Sequence, residues 1–128
     1  GIMFPENDML GVDYIIPDFE YLLKEGRAKK VRGIVITHGH EDHTGAIAHV
    51  LEEINAPIYA TALTRGLLEV KLNRRDRLKG AKLNTVNAGE KIKIGPFTVE
   101  FCHVSHSIPD GVALGIDTHE GFIEHTGD

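Results

Sequence analysis

Cys102 is the chain's single cysteine, so no internal disulfide can staple it, which fits a reducing compartment. No apolar run approaches the roughly 20 residues needed to span a bilayer. The opening Gly1-Ile2-Met3-Phe4-Pro5 has no basic stretch followed by an apolar one, so no secretory signal is visible. Internal repeats, low-complexity tracts and linkers are also missing. These absences leave a soluble, cytoplasmic domain with no membrane partner as the expectation. Excess positive charge is lacking too: the net charge is −5 with neutral histidines. Nucleic-acid-binding domains are more often basic, so this count argues weakly against such a partner. Divalent cations held at a site would reset the local field, however. What is present is ordinary for a globular protein, 41% hydrophobic and 26% charged over 128 residues, enough for one domain with a core. The unusual residue is histidine, with eight copies, several of them grouped.

Gly1 to Asp18 is rich in Pro, Asp and Gly and reads as loop. Asp18 is placed to cap a helix running through Phe19, Leu22 and Leu23 towards Gly26. The run Ile34-Val35-Ile36 within Val31–Thr37 predicts a strand buried on both faces. Ala46, Ile47, Val50, Leu51 and Ile54 recur at helical spacing, which predicts a helix over 44–54. Ile58-Tyr59-Ala60 reads as a short strand, and Thr61 as the cap of a second helix carrying Leu63, Leu67, Leu68 and Leu72. Strands are predicted at Leu83–Val86, Lys91–Ile94, Phe97–Val104, Val112–Asp117 and Phe122–His125. Strand–helix–strand–helix followed by several strands is an α/β pattern with a mixed sheet.

The chemistry concentrates in Thr37-His38-Gly39-His40-Glu41-Asp42-His43, between a buried strand and a helix. Loops at the C-terminal ends of strands are where α/β sheets place their sites. Residues two apart on extended backbone point the same way, so His38 and His40 can reach one metal ion together. Asp42 and His43 turn into the helix and can face a second. Neutral imidazole and carboxylate are suitable ligands for zinc and similar ions. One histidine near a strand end is usually a hydrogen-bonded surface residue. Three histidines and an aspartate within six residues would, without a use, stack desolvated polar groups at a cost.

His38-x-His40-x-Asp42-His43 resembles the signature of the metallo-β-lactamase superfamily. Its flanks resemble one branch more closely. Met3-Phe4-Pro5, Leu10-Gly11-Val12-Asp13 and Ile16-Pro17-Asp18 are similar to the segment that precedes the signature in the ribonuclease J family of β-CASP nucleases. His103-Val104-Ser105-His106-Ser107-Ile108-Pro109-Asp110 and His125-Thr126-Gly127-Asp128 resemble that family's following motifs.

The resemblance implies that His38, His40 and His106 bind a first metal, Asp42 and His43 bind a second, and Asp128 bridges both. It implies two divalent ions, zinc first and manganese as the alternative. The expected fold is part of an αββα sandwich with a mixed sheet, spanning residues 1–128. The N-terminal strands, the β-CASP domain, the C-terminal parts and one further histidine ligand of the second metal are expected outside the chain. The implied activity is hydrolysis of RNA phosphodiesters, 5′–3′ exonucleolytic and endonucleolytic, in RNA processing and decay. Water activated between two ions is the nucleophile, oriented by the catalytic carboxylates Asp42 and Asp128. RNA is the implied partner, in a full-length homo-oligomer. Two rivals stand beside this reading: a hydrolase of the same fold acting on a small thioester or lactam, and an inactive metal-binding fragment. With its second site short of a ligand, the chain alone is not expected to cleave RNA at a useful rate.

Other residues receive plainer expectations. His103 and His125 are expected to orient or pack rather than ligate. His49 and His119 are expected to face solvent, and Cys102 to be a small buried hydrophobe. Ser107 lacks a base partner other than His106, so it is not expected to be a nucleophile. Lys71, Arg74, Arg75, Arg77, Lys79 and Lys82 could touch RNA phosphates, but a solvated helix face is the stronger reading.

Overall fold

Two kinds of apolar pattern set the layers in the computed structural model, which describes residues 1–74 and 78–128. The short apolar runs build the first sheet. Strands β1 (Ile34–Val35), β2 (Ile58–Ala60) and β3 (Leu83–Thr85) lie parallel in the order β1-β2-β3, with Ile34 opposite Ile58 and Ile58 opposite Leu83. Parallel neighbours need long crossovers, and helices supply them. Between β1 and β2 come α2 (Glu41–Thr44) and α3 (Ile47–Glu53), and between β2 and β3 comes α4 (Ala62–Asn73). Their apolar faces close one side of the sheet, where Ile36, Ile47, Ala48, Ile58, Ala60, Leu68 and Leu72 form a continuous core.

The alternating segments build the second sheet. Strands β4 (Lys91–Ile94), β5 (Phe97–His103), β6 (Val112–Thr118) and β7 (Gly121–His125) are antiparallel neighbours in chain order. Ile94, Val99, Phe101, Val112 and Leu114 point inward, and Val35 and Tyr59 of the first sheet pack against them. Phe101 is fully buried, whereas Phe97 at the strand's start is 40% exposed. The described residues therefore form three layers: helices, parallel sheet and antiparallel sheet. Every residue of β7 is exposed, with Phe122 at 65% and Ile123 at 54%.

The expected α/β class and sandwich layering are found. The parallel and antiparallel strands, expected in one mixed sheet, are divided between two sheets that meet face to face. The expected helix over 44–54 starts earlier, at Glu41. Gly45 and Ala46 stay in the helical region between α2 and α3, at φ −61° and −83°. The helix after Asp18 is short: α1 covers only Glu20–Leu23, because Glu25 at φ 54° and Gly26 at φ 70° turn left-handed. The cap position is Phe19 rather than Asp18, although Asp18 Oδ1 accepts the Glu20 N–H at 2.9 Å from one residue further out. Among the described residues no helix is long and apolar enough to cross a membrane.

Candidate metal centre

The centre forms where both sheets end on the same side. After Val35 the chain continues extended: the Ile36 N–H donates to the Tyr59 carbonyl at 3.0 Å, and the Thr37 carbonyl accepts the Val112 N–H at 2.9 Å. That second bond joins the first sheet's rim to β6 and drives His38 inward, to 2% exposure. The Thr37 hydroxyl lies 3.0 Å from His38 Nδ1, while His38 Nε2 is buried with no hydrogen-bond partner among the described residues. Burial lowers the pKa of His38 below its usual 6.5. The neighbouring His43, His40 and His106 lower it further, against an opposing pull from Asp128. A neutral His38 with Nδ1–H directed at Thr37 keeps a lone pair on Nε2. A buried acceptor without a partner is costly, and a cation at this point would satisfy it.

His40 stands beside it, its ring centroid 4.9 Å from that of His38. Gly39 lets this segment pass close to its neighbours: a Cβ there would lie 2.5 Å from Leu67 Cδ1 and 3.2 Å from Ile108 Cδ1. His106 arrives from the loop between β5 and β6, with Nε2 3.1 Å from His40 Nδ1. The other nitrogen of His40, Nε2, lies 3.4 Å from Ser107 Oγ. His38 and His40 thus have one ring nitrogen toward a hydroxyl and one toward the cluster. That is how protein hydroxyls and carboxylates orient metal-binding imidazoles.

The helix α2 turns the next two residues to the other side of the centre. His43 Nε2 lies 3.3 Å from Asp42 Oδ2 and 3.8 Å from Asp128 Oδ2. His106 Nε2 is 3.4 Å from the same Asp128 oxygen. Two groups result, His38/His40/His106/Asp128 and Asp42/His43/Asp128, with ligand atoms within 4.8 Å of one another in each. Asp128 is common to both. It is aimed by the turn before it, where Gly127 adopts φ +82° and its N–H donates to His125 Nδ1 at 3.1 Å. A side chain at Gly127 would meet the Val112 carbonyl at 3.1 Å. The structure therefore brings together all six residues singled out as ligands. Histidine-rich donor sets with carboxylates suit zinc or a similar divalent ion.

Other expectations fare differently. Cys102 is exposed rather than buried, because Phe101 takes the inward position and its neighbour points outward. His49 does not simply face solvent: its Nε2 lies 3.5 Å from the Tyr14 hydroxyl, and the two rings meet edge to face. His119 is exposed as expected, and exposed His103 lies outside both groups. In the basic stretch, Lys71 pairs with Glu41 and the Thr44 hydroxyl, while Arg74, Lys79 and Lys82 are exposed. Arg75 and Arg77 lie outside the described residues. Thr61 occupies the cap position of α4, but its hydroxyl donates to the Asp110 carbonyl at 2.7 Å. The cap is Asp110 instead, whose Oδ2 accepts the Leu63 N–H at 3.0 Å. Sequence reasoning gave no role to Thr37 or Asp110. The first was legible as a hydroxyl next to His38; the second had no local signal.

Residues 14–127 match the beta-lactamase superfamily domain. The chain is 40% identical over all 128 residues to ribonuclease J 2 of Staphylococcus saprophyticus, and spans 23% of that protein's length. Among solved structures, it is similar to the metallo-beta-lactamase fold protein YhfI of Bacillus subtilis. The TM-score is 0.58 at 20% identity, covering 79% of this chain and 42% of that one. It is also similar to MEM-A1, a subclass B3 metallo-beta-lactamase from a soil metagenome library. There the TM-score is 0.59 at 20% identity, covering 76% of this chain and 41% of that one. These two likenesses establish the fold.

Proposed function

This chain belongs to the beta-lactamase superfamily, and from that premise we propose that it is the metal-binding part of a ribonuclease hydrolysing RNA phosphodiesters. The metal reading is carried by one observation. Two separated segments deliver His38 and His40 on the one hand and His106 on the other to one point, where buried His38 Nε2 has no protein partner among the described residues. The RNA reading is supported by the similarity to ribonuclease J 2 over the whole chain.

In this reading His38, His40 and His106 hold a first divalent ion, Asp42 and His43 hold a second, and Asp128 serves both. Zinc suits the imidazole-rich set, with manganese as the alternative. Such a pair supplies a water of lowered pKa and offsets charge on the phosphoryl oxygens. The protein's own part is positioning. Thr37 holds the ring of His38 at Nδ1, Ser107 braces His40, and the turn at Gly127 aims Asp128. Asp42 and Asp128 orient the attacking water. Cleavage from the 5′ end and internally, a cytoplasmic setting and a full-length homo-oligomer belong to the same proposal.

The test uses the full-length protein with 5′-monophosphorylated RNA and zinc or manganese. Wild type should release mononucleotides and internal fragments, and Asp42→Ala should lose at least about 100-fold in rate, the cost of a misplaced reacting group. Turnover of thioester or lactam substrates without RNA cleavage would overturn the proposal.

A further inference from the structure

His106 reaches the centre from a loop, residues 104–111, not from a strand or a helix. The loop is closed at its base, where the Val104 N–H donates to the Gly111 carbonyl at 3.2 Å. That bond alone does not fix the direction in which the loop leans. Asp110 supplies the missing constraint. Its backbone sits at φ +66°, one of two non-glycine residues with positive φ among those described. Such a conformation persists when the surroundings over-determine it. Here both ends of the residue are tied to the N-terminus of α4. The Thr61 hydroxyl donates to its carbonyl at 2.7 Å, and its carboxylate accepts the Leu63 N–H at 3.0 Å. Thr61 is 1% exposed, so water cannot readily replace that bond. The same helix reaches the other limb of the centre. Leu67 of α4 and Ile108 of the loop flank Gly39, which lies between His38 and His40.

We propose that Asp110 is a positioning residue for the metal centre: its clamp on α4 sets where His106 meets His38 and His40. The inference rests on the reading of His106 as a ligand. A plain helix cap would act through the stability of α4 and affect both metal groups alike, whereas a positioning residue acts selectively on the first metal group. That group contains His106, and the Asp42/His43 pair does not depend on the loop. Aspartate suits both duties, because it tolerates the left-handed backbone and supplies the acceptor.

The test is competition titration of zinc against a chromophoric chelator, using the full-length protein and its Asp110→Gly, Asp110→Asn, Thr61→Val and His106→Ala variants. Asp110→Gly keeps the backbone freedom but removes the acceptor. It should weaken the first zinc about 10- to 100-fold, the range for residues that orient metal ligands, and leave the second unchanged. Asp110→Asn keeps both features and should stay close to wild type. Thr61→Val removes the hydroxyl end of the clamp, together with that hydroxyl's 3.2 Å contact to Thr64 Oγ1, and should weaken the same zinc selectively. His106→Ala should lose the first zinc outright. Wild-type zinc affinity in Asp110→Gly and Thr61→Val, beside a clear loss in His106→Ala, would overturn the inference and leave the ligand reading standing. Equal weakening of both zincs, with a lower melting temperature of the metal-free protein, would make Asp110 a helix cap only. Retention of the first zinc in His106→Ala would remove the ligand reading itself.

Discussion

The two ligand groups share Asp128 but are built differently. His38 is buried and His40 and His106 are half-buried, and the two signature imidazoles have hydroxyls at their outward nitrogens. The group draws on the rim of the first sheet and on a loop of the second. Asp42 and Asp128 of the other group are exposed, and only His43 is half-buried. It draws on one turn of helix and one turn after β7. Burial with oriented hydrogen bonds pre-organises a site, while exposed carboxylates pay side-chain entropy and desolvation at the moment of binding. The first group should therefore bind its ion more tightly, and the second should be the one that exchanges.

The largest test of this contrast is a pair of substitutions. His38→Ala should remove the tightly held metal, because it deletes the one ligand that is both buried and without another partner. His43→Ala should spare that metal and lose the weaker one. Metal content by mass spectrometry, before and after dialysis against chelator, checks both outcomes. Equal loss in the two variants would erase the distinction between the groups.

A subtler test removes an orienting hydroxyl and leaves every ligand in place. Thr37→Val keeps the volume and the extended backbone but strips the partner from His38 Nδ1. Metal affinity at the first group should fall about 10- to 100-fold, with the second group unaffected. Isothermal titration with zinc reads the difference, and unchanged affinity would mean that burial alone orients the ring.

Much of this centre was legible because its chemistry is dense in sequence. His38, His40, Asp42 and His43 fall within one strand-to-helix turn, and the periodicities of two and of helical spacing say which way each can point. The antiparallel strands were legible for the same reason, since Phe97, Val99 and Phe101 alternate with polar residues. The alternation also put Cys102 on the outer face, and cysteine's usual preference for burial misled the reading there. What remained hidden depends on contacts between distant segments. The division into two sheets follows from which faces meet, at Val35 and Tyr59 against Ile94 and Val99. The cap of α4 comes from Asp110, 47 positions away from Leu63. Neither a helix-start pattern nor a loop composition carries that information.

The smallest expected effect is a pH dependence in the metal-free protein, and it tests the setting of His38 in the first group. The folded-state pKa of His38 lies below 6.5, chiefly because its ring is desolvated and secondarily because three other imidazoles face it. In the unfolded chain the ring titrates near its ordinary value, about 6.5. As pH falls through that value, the unfolded state takes up a proton that the folded state still refuses. Stability rises with pH wherever the unfolded state binds more protons, so His38 costs nothing above the ordinary value and destabilises the fold progressively below it. The loss ends only when the pH has passed the lowered folded pKa. Urea unfolding in the presence of chelator, between about pH 7.5 and 5.5, should show the midpoint falling with pH. His38→Gln, which removes the titrating ring and keeps a polar side chain at the site, should fall less over the same interval. Identical slopes in the two proteins would mean that the buried ring already accepts a proton in the folded state. The free lone pair on Nε2, on which the metal reading depends, would then be lost below the ordinary value.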